Sequence, residues 1–110
     1  MKKLAIFVGV LLASMSVVAS QGYMIKDATA TKVSATSNNI DAFWLHYSGG
    51  SGDKCGGKVK FMRTYAGTDG VFDRAFTLAT TAVVAGNKIE VYSYTNNTNC
   101  ESAVSINLLN

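Results

Sequence analysis

Cys55 and Cys100 are the only cysteines in the chain, and each stands a few residues ahead of a strand-like run. What precedes them gives the pair its meaning. Met1-Lys2-Lys3 is a short positive start, residues 4–12 are apolar, and residues 13–20 are mostly small. Cleavage after Ser20 or after Ala19 satisfies the small-residue rule of an export signal. The apolar core is shorter than the ~20 residues a membrane span needs, and no cysteine lies at the cleavage point to carry a lipid. We therefore expect a signal over residues 1–20, a single domain over residues 21–110, and no stable membrane anchor after cleavage. The destination is the periplasm or the exterior. In that oxidising setting the two cysteines are expected to form a disulfide. The loop it closes, about 46 residues, makes the bond worth ~4 kcal/mol in the chain-entropy picture.

Export also changes how the charge reads. The whole chain has 10 Lys+Arg against 7 Asp+Glu. Lys2 and Lys3 leave with the signal, so the remaining excess is a single positive charge, and the sequence pI of about 9.0 is no argument for a nucleic-acid partner. Lys54, Lys58, Lys60 and Arg63 form one local basic patch, which a solvated strand face explains equally well. A domain of this size builds only a modest core and profits from a cross-link. Two cysteines and one histidine cannot supply a closed tetrahedral zinc site, and no metal or other cofactor is expected.

No proline occurs, so turns fall to Gly, Asn, Asp and Ser. Residues 23–33 read as a long extended run, irregular near its middle, and residues 34–39 as a turn. Residues 40–47 form an aromatic strand with Phe43, Leu45 and Tyr47 on one face and Ala42, Trp44 and His46 on the other. Residues 48–57 contain five glycines and read as a mobile loop. In residues 58–63, Val59 and Phe61 point inward and Lys58, Lys60 and Met62 outward. The period then changes. Phe72, Ala75, Phe76, Ala79, Ala82 and Val83 recur at helical spacing, with Asp69 as the cap and Gly86-Asn87 as the stop. Residues 88–94 return to period two, and Val104, Ile106 and Leu108 alternate in a last strand.

Three strands, a helix and two strands is the order of the five-stranded oligonucleotide/oligosaccharide-binding (OB) barrel. An open antiparallel sheet crossed by a helix satisfies the same pattern. In the barrel the third and fifth strands lie side by side and run parallel. Cys55 precedes Lys58 by the same offset as Cys100 precedes Ala103, so a disulfide between the two strand starts fits the barrel.

Catalytic motifs are weak. Gly52-Asp53-Lys54-Cys55-Gly56-Gly57-Lys58 copies phosphate-loop spacing but lacks the following Ser/Thr and helix. His46 has no nucleophile elbow or orienting carboxylate at a suggestive spacing, and the scattered carboxylates offer no acid/base pair. We expect a protein that is not an enzyme. Aromatics are the better clue, because tyrosine and tryptophan join flat apolar faces to polar edges. Trp44, His46, Tyr92 and Tyr94 are the candidate ligand-binding residues, placed on the surface because the opposite-parity positions of their strands are aliphatic. The candidate ligand is a glycan or a protein. From Ala75 to Asn87 the helix carries no charge, and its Thr/Ala face suggests contact between subunits of a homo-oligomer.

The stretch from Phe72-Asp73-Arg74-Ala75-Phe76 through Val84-Ala85-Gly86-Asn87-Lys88-Ile89-Glu90-Val91 resembles the B subunits of AB5-type bacterial toxins, especially the subtilase-cytotoxin and typhoid-toxin branch. The glycine-rich loop before a cysteine, from Gly49 to Cys55, is similar to that of short uncharacterised exported bacterial proteins. The toxin resemblance implies an OB-like barrel, a homopentamer with helices around a central pore, and glycan binding on the barrel surface. The chain departs from that branch in being shorter and in the segments its disulfide joins, and no sugar-binding motif carries over residue by residue.

Overall fold

The computed structural model describes residues 20–36 and 38–109, so nearly all of the expected signal segment lies outside the described residues. The elements are β1 (Gly22–Ser34), β2 (Ala42–Ser48), β3 (Lys58–Met62), a short helix α1 (Arg63–Ala66), the main helix α2 (Asp69–Ala85), β4 (Lys88–Ser93) and β5 (Ser105–Leu109). The strands form one sheet in the order β3-β2-β1-β4-β5, every neighbouring pair antiparallel. No described helix is long and apolar enough to cross a membrane.

Helix α2 follows the apolar stripe. Phe72, Ala75, Ala79 and Ala82 are buried, and the three alanines let the backbone lie close to the sheet. Asp69 is not the cap. Thr68 takes that role, its Oγ1 accepting from Val71 N–H at 3.2 Å, and Asp69 falls in the first turn, where the helix dipole favours a carboxylate. Gly86 ends the helix in the left-handed region with φ 72°, and Asn87 N–H donates to Ala82 O at 2.9 Å. The threonines lower intrinsic helicity, so burial of this stripe holds the helix. Under it the Phe43 and Phe61 rings stack at 4.6 Å, and Phe72 and Phe76 meet Phe43 at 5.5 and 5.1 Å.

The sheet is open, which corrects the barrel expectation. Between β3 and the segment before β5 there is one parallel bridge, Phe61 to Ala103. Lys60 N–H donates to Cys100 O at 2.8 Å, and Ala103 N–H donates to Lys60 O at 3.2 Å. Cys55 and Cys100 are bonded beside it, with Cα atoms 5.6 Å apart. The pairing goes no further because β3 ends at Met62 and the chain turns into α1 at Arg63. Arg63 is fixed there by ion pairs to Asp41, Asp69 and Asp73, with its guanidinium over the Phe72 ring. No β3 backbone remains opposite β5.

Residues 48–57, expected to be mobile, are tied down. The irregular middle of β1 explains how. Register shifts on either side of Ile25, with Asp27 at φ 56°, put Met24 and Ile25 consecutively inside and turn Lys26 away from the ladder. The freed backbone bonds the loop: Lys26 N–H to Ser51 O at 3.1 Å, Ser51 N–H to Lys26 O at 2.8 Å, and Lys54 N–H to Met24 O at 3.1 Å. Gly50 permits this contact. Its φ is 84°, and a Cβ there would stand 2.5 Å from Lys26 O. The Asp53 carboxylate then accepts from the Tyr47 hydroxyl at 2.7 Å, Cys55 N–H at 2.9 Å and Gly56 N–H at 3.1 Å, which orients Cys55 for its disulfide.

Candidate binding surfaces

Trp44 and His46 alternate with the buried residues of β2 and are half-buried on its outer face. They are neighbours, as the strand period requires, but the ring is already engaged. Lys58 Nζ lies 4.7 Å and Lys60 Nζ 4.8 Å from the Trp44 ring centroid. Lys60, expected to point into solvent, is almost completely covered, packed on Trp44 and paired with Glu101 Oε2 at 3.5 Å. The segment bridged to its backbone supplies that cover. His46 faces Lys32 on β1 and Lys58 on β3. Burial, and then these two charges, hold its pKa below the ordinary 6.5.

Tyr92 and Tyr94 sit elsewhere. Trp44 pairs with Ser34 at one end of β1, whereas Tyr92 pairs with Tyr23 at the other. The four candidate residues therefore divide into two patches. In the second, Tyr23 and Tyr92 meet edge to face at 5.0 Å, and Tyr92 meets Tyr94 likewise at 4.9 Å. Lys26 Nζ stands 4.9 Å from the Tyr23 ring. Glu90 and Asn107 share this face, Asn107 Nδ2 donating to Glu90 Oε2 at 2.9 Å. The Glu90 charge, followed by burial, pushes the Tyr23 phenol above its ordinary pKa. Tyr94 is 59% exposed, which leaves a ring face open to a ligand.

Tyr94 also forms one wall of a groove of about 470 Å³ between α1, α2 and β5, with Tyr65, Arg74, Leu78, Val104 and Ile106 among its lining. Among the described residues no group of His, Cys, Asp and Glu is arranged to hold a metal.

A model of the DUF5992 family, described as a family of unknown function, matches residues 4–110. The chain belongs to that family. No curated protein and no solved structure matches it. Membership in DUF5992 fits the likeness to short uncharacterised proteins and brings no named relative to the toxin resemblance.

For this DUF5992 chain the sequence missed residues of two kinds. Tyr23, Glu90 and Asn107 join the tyrosine patch through strand register, which local periodicity does not encode. Leu78 had a local signal. It is a large apolar residue off the buried stripe of α2, and it is 37% exposed in the groove.

Proposed function

We propose that the protein is an exported, non-enzymatic binding module that recognises a glycan at the Tyr23–Tyr92–Tyr94 patch. One observation carries this reading: three tyrosine rings meet in sequence beside the Glu90–Asn107 pair. Sugar rings stack their C–H faces on aromatic rings, and their hydroxyls need carboxylate and amide partners, both of which this face offers. The export reading rests on the amino-terminal pattern and the Cys55–Cys100 disulfide. The strand order is that of an OB-type barrel left open between β3 and β5, an analogy of fold that lends the toxin-like reading support without naming a ligand. A glycan array with the purified protein tests it. Binding to a defined set of glycans, lost in Tyr92→Ala and in Tyr94→Ala, is expected; an empty array would remove the reading.

A second reading, a protein partner or further copies of the chain on α2, is favoured by the state of its threonines. Thr77 Oγ1 donates to Asp73 O at 3.1 Å, and Thr80 and Thr81 donate to Thr77 O at 2.9 and 2.8 Å. With the hydroxyls bonded to the helix's own carbonyls, Thr77 and Thr81 are exposed on α2 along with Val84, which is 90% exposed. An inhibitor or envelope accessory role belongs to this reading. Light scattering separates its forms: an oligomer points to self-contact, a monomer to a foreign partner.

A further inference from the structure

The groove between α1, α2 and β5 shares only Tyr94 with the glycan patch, and we propose that it binds a small amphipathic organic anion. The apolar body would lie between Tyr65 and Tyr94 over Leu78 and Ile106, with the anionic group at Arg74. Three observations carry this.

The space is built into the fold. It lies where β3 turns into α1 and leaves the edge of β5 away from β4 without a strand partner, directly beyond the Lys60 and Cys100 contacts. Its volume, about 470 Å³, is that of a small-molecule site. Second, the walls are held from outside the groove. The Tyr65 hydroxyl accepts from Asn99 Nδ2 at 3.3 Å, and Tyr94 rests edge to face on Tyr92. A ligand entering between them orders little that is not already ordered.

Third, the charge is one-sided. Among the described residues Arg74 is the only charged one lining the groove, and no Asp or Glu lines it. Among the described residues Arg74 makes no ion pair, whereas Arg63 is spent on three carboxylates. Arg74 lies over Gly70, where a Cβ would come within 3.2 Å of Nη1. A guanidinium at the mouth of an apolar groove selects an anion joined to an apolar body.

The test uses two fluorescent probes on the purified protein: the anion 8-anilinonaphthalene-1-sulfonate and the neutral N-phenyl-1-naphthylamine. Both are expected to bind saturably at one site. Arg74→Gln should weaken the anion roughly tenfold, as losing one charge-assisted contact implies, and leave the neutral probe within about twofold. Leu78→Asp, at a position 37% exposed and off the buried stripe of α2, should abolish both at unchanged circular dichroism. Glu90→Ala, which removes the carboxylate of the glycan patch and touches neither groove wall, should leave Arg74 discrimination between the probes intact, so this proposal and the glycan reading fail separately. Non-saturable binding, equal anion affinity in Arg74→Gln, or retained binding in Leu78→Asp would overturn it.

Discussion

The two halves of the seam between β3 and β5 are built from adjoining residues and end in opposite states. At Cys55, Lys60, Cys100 and Ala103 the sheet edges are stapled by a disulfide, two backbone hydrogen bonds and an ion pair. A few residues on, β5 has no strand on that side, and Ile106 encloses a groove with Tyr65 of α1 and Leu78 of α2. Strand propensity does not separate the halves, since Val104, Ile106 and Leu108 alternate along the segment. The length of β3 does. Its five residues run out at Met62, and Arg63, pinned by three carboxylates, starts a helix where a longer strand would have closed a barrel. The stapled half thereby sets the spacing of the open half.

The comparison breaks most visibly at the staple. Replacing Cys55 and Cys100 together by serine is expected to cost about 4 kcal/mol, the entropy of closing a loop of this length, read by urea denaturation. A loss under about 1 kcal/mol would mean that the disulfide is incidental to the closed half. Asp53 acts one step back, by orienting Cys55. Asp53→Ala leaves the buried Tyr47 hydroxyl and two N–H groups without their acceptor and should cost about 1–2 kcal/mol, discounted because the carboxylate is exposed. Burial raises the Asp53 pKa, but the hydrogen bonds from Cys55, Tyr47 and Gly56 outweigh it, and the net value lies below the ordinary 3.8. A folded pKa below the unfolded one gives stability that is complete above the unfolded value and lost as pH falls through the folded one. The gap between wild type and Asp53→Ala should therefore close on acidification below pH 3.8, measured as urea midpoints against pH. The open half should show the smallest effect. Arg74→Gln and Leu78→Asp are expected to shift stability by no more than about 0.5 kcal/mol. A larger loss would make the groove part of the core.

What the sequence disclosed follows from how local each cause is. The helix and the inward set Phe43, Leu45 and Tyr47 depend on spacing along the chain, the pairing of Cys55 with Cys100 on there being no other cysteine, and each is found. The irregular middle of β1 was legible too, but the cause of the bulge at Met24 to Ala28 was not. The bulge goes with the backbone bonds that Met24 and Lys26 exchange with the loop carrying Ser51 and Lys54, a contact between distant segments. Lys60 reads as a solvated lysine until Cys100 and Ala103 are laid across it. The candidate site was half legible for the same reason. Tyr92 and Tyr94 are visible as outward aromatics, but Tyr23 reaches them only through antiparallel register. Trp44 was equally visible, and only the fold reveals that two lysines engage its ring.

The central claim is that the seam closes at one bridge and then opens. Cross-strand nuclear Overhauser contacts on the purified protein test it most directly. The account predicts backbone contacts linking Lys60 and Phe61 to the segment from Cys100 to Ala103, and none linking Met62 or Arg63 to β5 beyond Ser105. A ladder of parallel contacts continuing along β5 would mean a closed barrel with no groove, and would contradict it.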